Sequence, residues 1–127
     1  MTRRFRASAS VAFAPLSPFS RIVNSFIDLI GASGTAYRFR KPDGAVSPVG
    51  GNFVYVREQD GAARVVCCGR ARSLGWALSQ PVWPSDENAE PDDELYVRLN
   101  AISGVRSSEH EDLLAGLPRP FVIYEID

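Results

Sequence analysis

Asp60-Gly61 stands between two short runs, Phe53–Arg57 and Arg64–Cys68. An Asp-Gly pair accepts the positive φ that a tight turn demands, so the runs are expected to pair as a hairpin joined through Glu58–Ala63. At 127 residues the chain has enough length for one core around that hairpin and too little for two. Its 45% hydrophobic and 23% charged content matches a folded domain rather than a disordered chain.

The remaining pattern supplies the rest of an α+β domain. Residues 1–16 carry charge first and small residues after, without a period, and are read as an extension with a short strand through Ser10–Ala14. Ser17-Pro18 is a helix entry, and Ile22, Val23, Phe26, Leu29 and Ile30 recur at helical spacing up to Gly31. An N-terminal helix is therefore expected ahead of the sheet. From Thr35 the period becomes two, with Tyr37 and Phe39 on one face and Arg38 and Arg40 on the other. Lys41-Pro-Asp-Gly44 is a turn. Gly69 is expected to close the second hairpin strand before a short helix at Ala71–Ser79. Pro81–Glu94, with six acids from Asp86 to Glu94, reads as solvated, mobile surface. Leu95–Asn100 is a strand, and Ser108–Gly116 is a helix opened by a Ser108–Glu111 capping box and stopped by Gly116 and Pro118. Phe121–Ile126 adds a last strand.

Charge and cysteine usage narrow the function classes. The net charge is −1, where a protein held to nucleic acid mainly through phosphates carries a clear basic excess. Such binding would need a local patch, for which Arg38, Arg40, Lys41, Arg70, Arg72, Arg3, Arg4 and Arg6 are the candidates. Cys67 and Cys68 are neighbours on a strand, with side chains directed to opposite faces, so no disulfide is expected and a reducing cytoplasm fits. The longest apolar runs are too short to cross a bilayer. The Arg3-Arg4 start is not read as a signal peptide, because Ser8, Ser10, Pro15 and Ser17 interrupt the apolar stretch one would require.

Gly50-Gly51-Asn52-Phe53-Val54-Tyr55-Val56, followed by Cys67-Cys68-Gly69-Arg70-Ala71-Arg72-Ser73-Leu74, resembles the GIY-YIG nuclease pattern. Arg106–Pro120 is similar to that family's third helix and closing prolines, and Ala36–Phe39 with Pro48–Gly51 to the lead-in of its small bacterial members. The likeness runs over about residues 36–120. It implies a small antiparallel sheet flanked by helices across 17–127, to which the N-terminal helix is an addition.

The resemblance also implies where catalysis would reside. The family's two tyrosines fall on Phe53 and Cys67, its arginine near Ala77, and its metal-binding glutamate on His110, between Glu109 and Glu111. None of the four side chains is retained. Tyr55 shares the face of Phe53, but lies roughly 6.6 Å further along the strand. Losing one preorganised charge-stabilising donor costs about 10²–10³ in rate, and here four positions differ together. The expectation is a binding protein without catalytic residues, cofactor or metal; Glu109 and Glu111, with Asp112, are the metal-compatible acids beside His110. Consecutive helical residues fan around the axis and do not converge on an ion. Nothing near Cys67 or Cys68 forms a nucleophile elbow, and Gly50-Gly51 lacks the Lys-Ser/Thr of a phosphate loop.

Arg38, Arg40, Tyr55, Arg70, Arg72 and Trp76 are the expected binding residues. Arginine with aromatic side chains serves protein interfaces and single-stranded nucleic acid alike. A bacterial protein partner is the first expectation, a DNA- or RNA-binding surface the alternative, and a divalent-metal nuclease with relocated groups the third. Self-association is left open. Convergence of the four arginines beside Phe53 and Cys67 would favour nucleic acid; dispersal would favour protein.

Overall fold

A computed structural model of the chain describes residues 25–80, 83, 87–118 and 120–126. The extension at 1–16, its strand at 10–14 and the helix entry at 17–24 lie outside the described residues. Six strands, β1 (Phe26–Ile30), β2 (Ala36–Arg40), β3 (Gly51–Gln59), β4 (Ala62–Ala71), β5 (Glu94–Leu99) and β6 (Phe121–Ile126), form one sheet in the order β1-β2-β5-β3-β4-β6. Two helices accompany them, α1 (Leu74–Leu78) and α2 (Ser103–Gly116). The architecture is α+β, with five strands antiparallel and β6 added parallel to β4.

The hairpin sits at the centre of the fold. Asp60 and Gly61 both take positive φ, 56° and 78°, so the turn carries the twist that lets β3 and β4 pair along their length. A register shift after Tyr55 marks a bulge in that pairing. β4 runs on through Gly69 to Ala71 instead of closing at the glycine. A Cβ at Gly69 would strike the ring of Phe53, so the missing side chain leaves room for the far end of that ring. Helix α1 starts correspondingly later than Ala71, with Ser73 as N-cap accepting from Trp76 N.

Two expectations on helices are corrected. Phe26–Ile30 is strand, not helix. It pairs residue for residue with Ala36–Arg40, which places Ile27 and Leu29 with Phe39 and Tyr37 on one face and Phe26, Asp28 and Ile30 on the other. A set of apolar residues rich in β-branching satisfies both periods over five positions, and sheet pairing decides between them. Helix α2 begins at Ser103, five residues before Ser108, with Ile102 as N-cap and no side-chain cap. Tertiary bonds hold its first turns instead: Asn52 Nδ2 donates to Arg106 O, and Arg106 donates to Asn100 O and Ala101 O. Ser108 and His110 are thus mid-helix residues.

The sheet has a core on each face. Beneath α2 lie Leu29, Tyr37, Phe39, Val54, Val56, Val65, Cys68 and Tyr96, with Leu113 and Leu117. On the opposite face lie Phe53, Tyr55, Val66, Cys67 and Ala71, with Leu74, Ala77 and Trp83. Each large apolar side chain wholly removed from water here contributes about 1.5–3 kcal/mol. The acidic loop is not simply solvated surface. Asp93, with 2% of its side chain exposed, accepts from Arg57 Nε at 2.7 Å, from Trp83 Nε1 at 2.8 Å and from Glu90 N at 2.9 Å. Among the described residues no helix is long and apolar enough to cross a membrane.

Candidate binding groove

The positions that the resemblance makes catalytic do not share a cavity. Phe53 and Cys67 face α1, where Ala77 joins them, and all three are fully buried. His110 is equally buried, but on the α2 side, with its Nδ1 3.9 Å from Cys68 Sγ. The sheet itself separates His110 from the other three. Burial, and secondarily the neighbouring Cys67, pushes the Cys68 thiol up to about 12, and burial likewise pushes the Tyr55 phenol up to about 12. Both groups are held in their neutral, unreactive forms at neutral pH.

The acids around His110 are committed elsewhere. Glu109 Oε1 accepts from Arg98 Nε at 2.8 Å and from Asn100 Nδ2 at 2.9 Å. Glu111 is exposed and lies 3.9 Å from Arg70. Asp112 accepts from Tyr37 Oη, Ser33 Oγ and Ser33 N, tying α2 to the β1–β2 turn. Burial alone would raise its pKa, yet the hydrogen bonds from Ser33 and Tyr37 hold it below the ordinary carboxylate range. Among the described residues no three His, Cys, Asp or Glu side chains are placed to hold a metal ion.

The expected binding residues divide between the faces. Arg38 and Arg40 alternate with buried Tyr37 and Phe39, and through the pairings Arg40–Val97 and Val97–Phe53 they lie on the face of Phe53. Arg70 is opposite Asn52 on β3, hence on the α2 face. Arg72 is exposed beyond the end of β4. Trp76 is 56% exposed on α1. Tyr55 lines a separate small cavity of about 240 Å³ with Trp83, Glu90 and Asp93. The arginines therefore do not converge.

No family model, curated protein or solved structure matches this chain. Helix α1 packs on β3 and β4, and the 41–47 segment borders the same sheet at β2 and β5. There an open groove of about 500 Å³ runs between β2, β5 and that segment, lined by Arg38, Arg40, Lys41, Val46, Val97 and Leu99 among others. Its floor is apolar and its rim is cationic. Phe26, from the neighbouring edge strand, lies under both guanidinium groups, 3.9 Å from Arg38 Cζ and 5.7 Å from Arg40 Cζ.

Sequence reasoning found the cations of this groove and missed its floor. Leu95, Val97 and Leu99 alternate along β5 and so mark an apolar face. Only the sheet order tells that α1 stops short of Leu99, which is left 58% exposed.

Proposed function

We propose that this chain is a non-catalytic, GIY-YIG-like binding protein of a bacterial cytoplasm, engaging a protein partner through the groove at Arg40. Support for the fold relationship comes from the hairpin with its short following helix and from the third strand and helix in the expected order. Support for the absence of catalysis comes from the burial of Phe53, Cys67, Ala77 and His110 and from the sheet that divides them. A phosphodiester could not reach these positions without unfolding the core.

The observation that carries the binding reading is the pairing of an open apolar floor with an arginine rim at one place on the sheet. Arginine and aromatic side chains beside a small apolar surface are common anchors of protein interfaces. The dispersal of Arg38, Arg40, Arg70 and Arg72 over two faces argues against a continuous track for a nucleic-acid backbone.

Affinity purification from the native host with wild-type and Arg40→Glu protein, read by mass spectrometry after nuclease treatment, tests this reading. The expected result is a protein captured by the wild type and lost with the variant. Plasmid and single-stranded DNA incubated with the protein and Mg²⁺ or Mn²⁺ should remain intact. Cleavage that disappears with Glu109→Ala or Glu111→Ala would overturn the non-catalytic reading, and capture of DNA alone would move it to the nucleic-acid alternative.

A further inference from the structure

We infer that the groove selects a segment of its protein partner that carries one carboxylate side chain beside an apolar one, an inference that rests on the groove being the partner surface proposed above. The charge state of the rim leads there. Arg38 is clamped by Asp28 through Nε–Oδ1 at 2.9 Å and Nη2–Oδ2 at 3.0 Å. Lys41 Nζ lies 3.1 Å from Glu94 Oε2. Arg98, opposite Asn52, is held by Glu109 on the α2 face, and its side chain does not reach the rim. Arg40 differs from its neighbours: among the described residues no carboxylate lies within ion-pairing distance of it, and its one contact of this kind is the Phe26 ring.

A rim on which the cation beside Arg40 is neutralised within the protein, leaving one guanidinium, has room for one anionic group. A nucleic acid bound through phosphates needs several cations in a row, commonly about six to ten contacts. A single carboxylate suits Arg40, whose planar fork accepts it in bidentate geometry. Around that anchor, Pro42, Val46, Val97 and Leu99 offer apolar surface that an acidic side chain alone would leave wet. An adjacent apolar side chain fills it, and its burial supplies the affinity that one surface ion pair lacks. The groove is open rather than enclosed, which suits a segment of a larger chain.

The test is a titration of ¹⁵N-labelled full-length protein, followed by its amide resonances. The probes are pools of short, terminally blocked peptides with a fixed central Glu, Gln or Lys and randomised Leu, Ile, Val or Phe flanks, and an oligothymidylate strand. The expected result is that the Glu pool shifts the amides of Arg40, Val46, Val97 and Leu99 and binds about tenfold more tightly than the Gln pool, the value of one charge-assisted contact. Arg40→Glu should abolish that preference and turn it toward the Lys pool. Equal binding of the Glu and Gln pools at these residues would overturn the carboxylate inference while leaving the groove as the binding surface. Shifts at Arg40 from the oligothymidylate alone, or no shifts in the groove from any probe, would overturn both.

Discussion

His110 Nδ1 lies 3.9 Å from the Sγ of Cys68, and this contact puts His110 across the sheet from Cys67, the residue next to Cys68 in the chain. Two adjacent strand residues point to opposite faces, so one helix cannot supply a group to both. Helix α2 therefore packs His110 into the core on the Cys68 side, and the sheet keeps it from Cys67.

Placing at His110 the glutamate of the family that the sequence resembles should damage the fold without creating activity. His110→Glu places a carboxylate where no water reaches, and unfolding free energy should fall by about 3 kcal/mol or more, in the range found when a buried charge lacks its partner. Urea denaturation followed by circular dichroism measures the loss. A stable His110→Glu protein with unchanged midpoint would contradict the assignment of His110 to the core.

Gly69 and Phe53 should behave as a coupled pair. Gly69→Ala drives a methyl group into the Phe53 ring and should cost about 1–3 kcal/mol. In a Phe53→Leu background the same change should cost less, because the smaller side chain vacates that space. A double-mutant cycle from denaturation midpoints gives the coupling, and strict additivity would argue against the contact.

Asp93 should make the protein acid-sensitive. Burial raises its pKa, but hydrogen bonds from Arg57, Glu90 N and Trp83 outweigh burial and hold it below the ordinary carboxylate range. A group whose pKa is depressed on folding binds fewer protons in the native state. Its contribution is fully present above the unfolded-state pKa, about 4, and is lost as pH falls through the native value. Wild type should therefore exceed Asp93→Asn in Tm at neutral pH by a margin that narrows below about pH 4. A margin constant across that window would show that the charge is not what Asp93 contributes.

Neither cysteine should react in the native state. Both are buried, Cys67 at 0% and Cys68 at 1% exposure, and burial keeps the Cys68 thiol protonated. A chromogenic disulfide reagent should label neither thiol in native protein and both in guanidinium chloride. Prompt native labelling of either one would mean that its strand opens.

Local chemistry made part of this fold legible. Asp60-Gly61 announced the hairpin, and the alternation of Tyr37, Arg38, Phe39 and Arg40 announced both the strand and its outward cations. Helix boundaries were less legible, because they depend on distant partners. Ser108 and Glu111 match a capping box, yet Asn52 and the backbone around Asn100 hold the chain helical from Ser103. Phe26–Ile30 satisfied a helical period and became a strand because Ala36–Arg40 lies alongside. The burial of Asp93 was hidden for the same reason: its partner Arg57 lies on β3, 36 residues away. The groove at Arg40 is a product of sheet order, which pairs β5 with both β2 and β3.

A photo-crosslinking amino acid placed at Leu99, on the exposed floor of the groove, and in a parallel variant at Glu111, on the exposed side of α2, tests the binding assignment most directly in living host cells. Irradiation should join the Leu99 variant to a protein, through a band that resists nuclease and disappears when Arg40→Glu is added, while the Glu111 variant gives no such band. A nuclease-sensitive adduct at Leu99, or the same protein band from both positions, would contradict the groove as the place where this chain does its work.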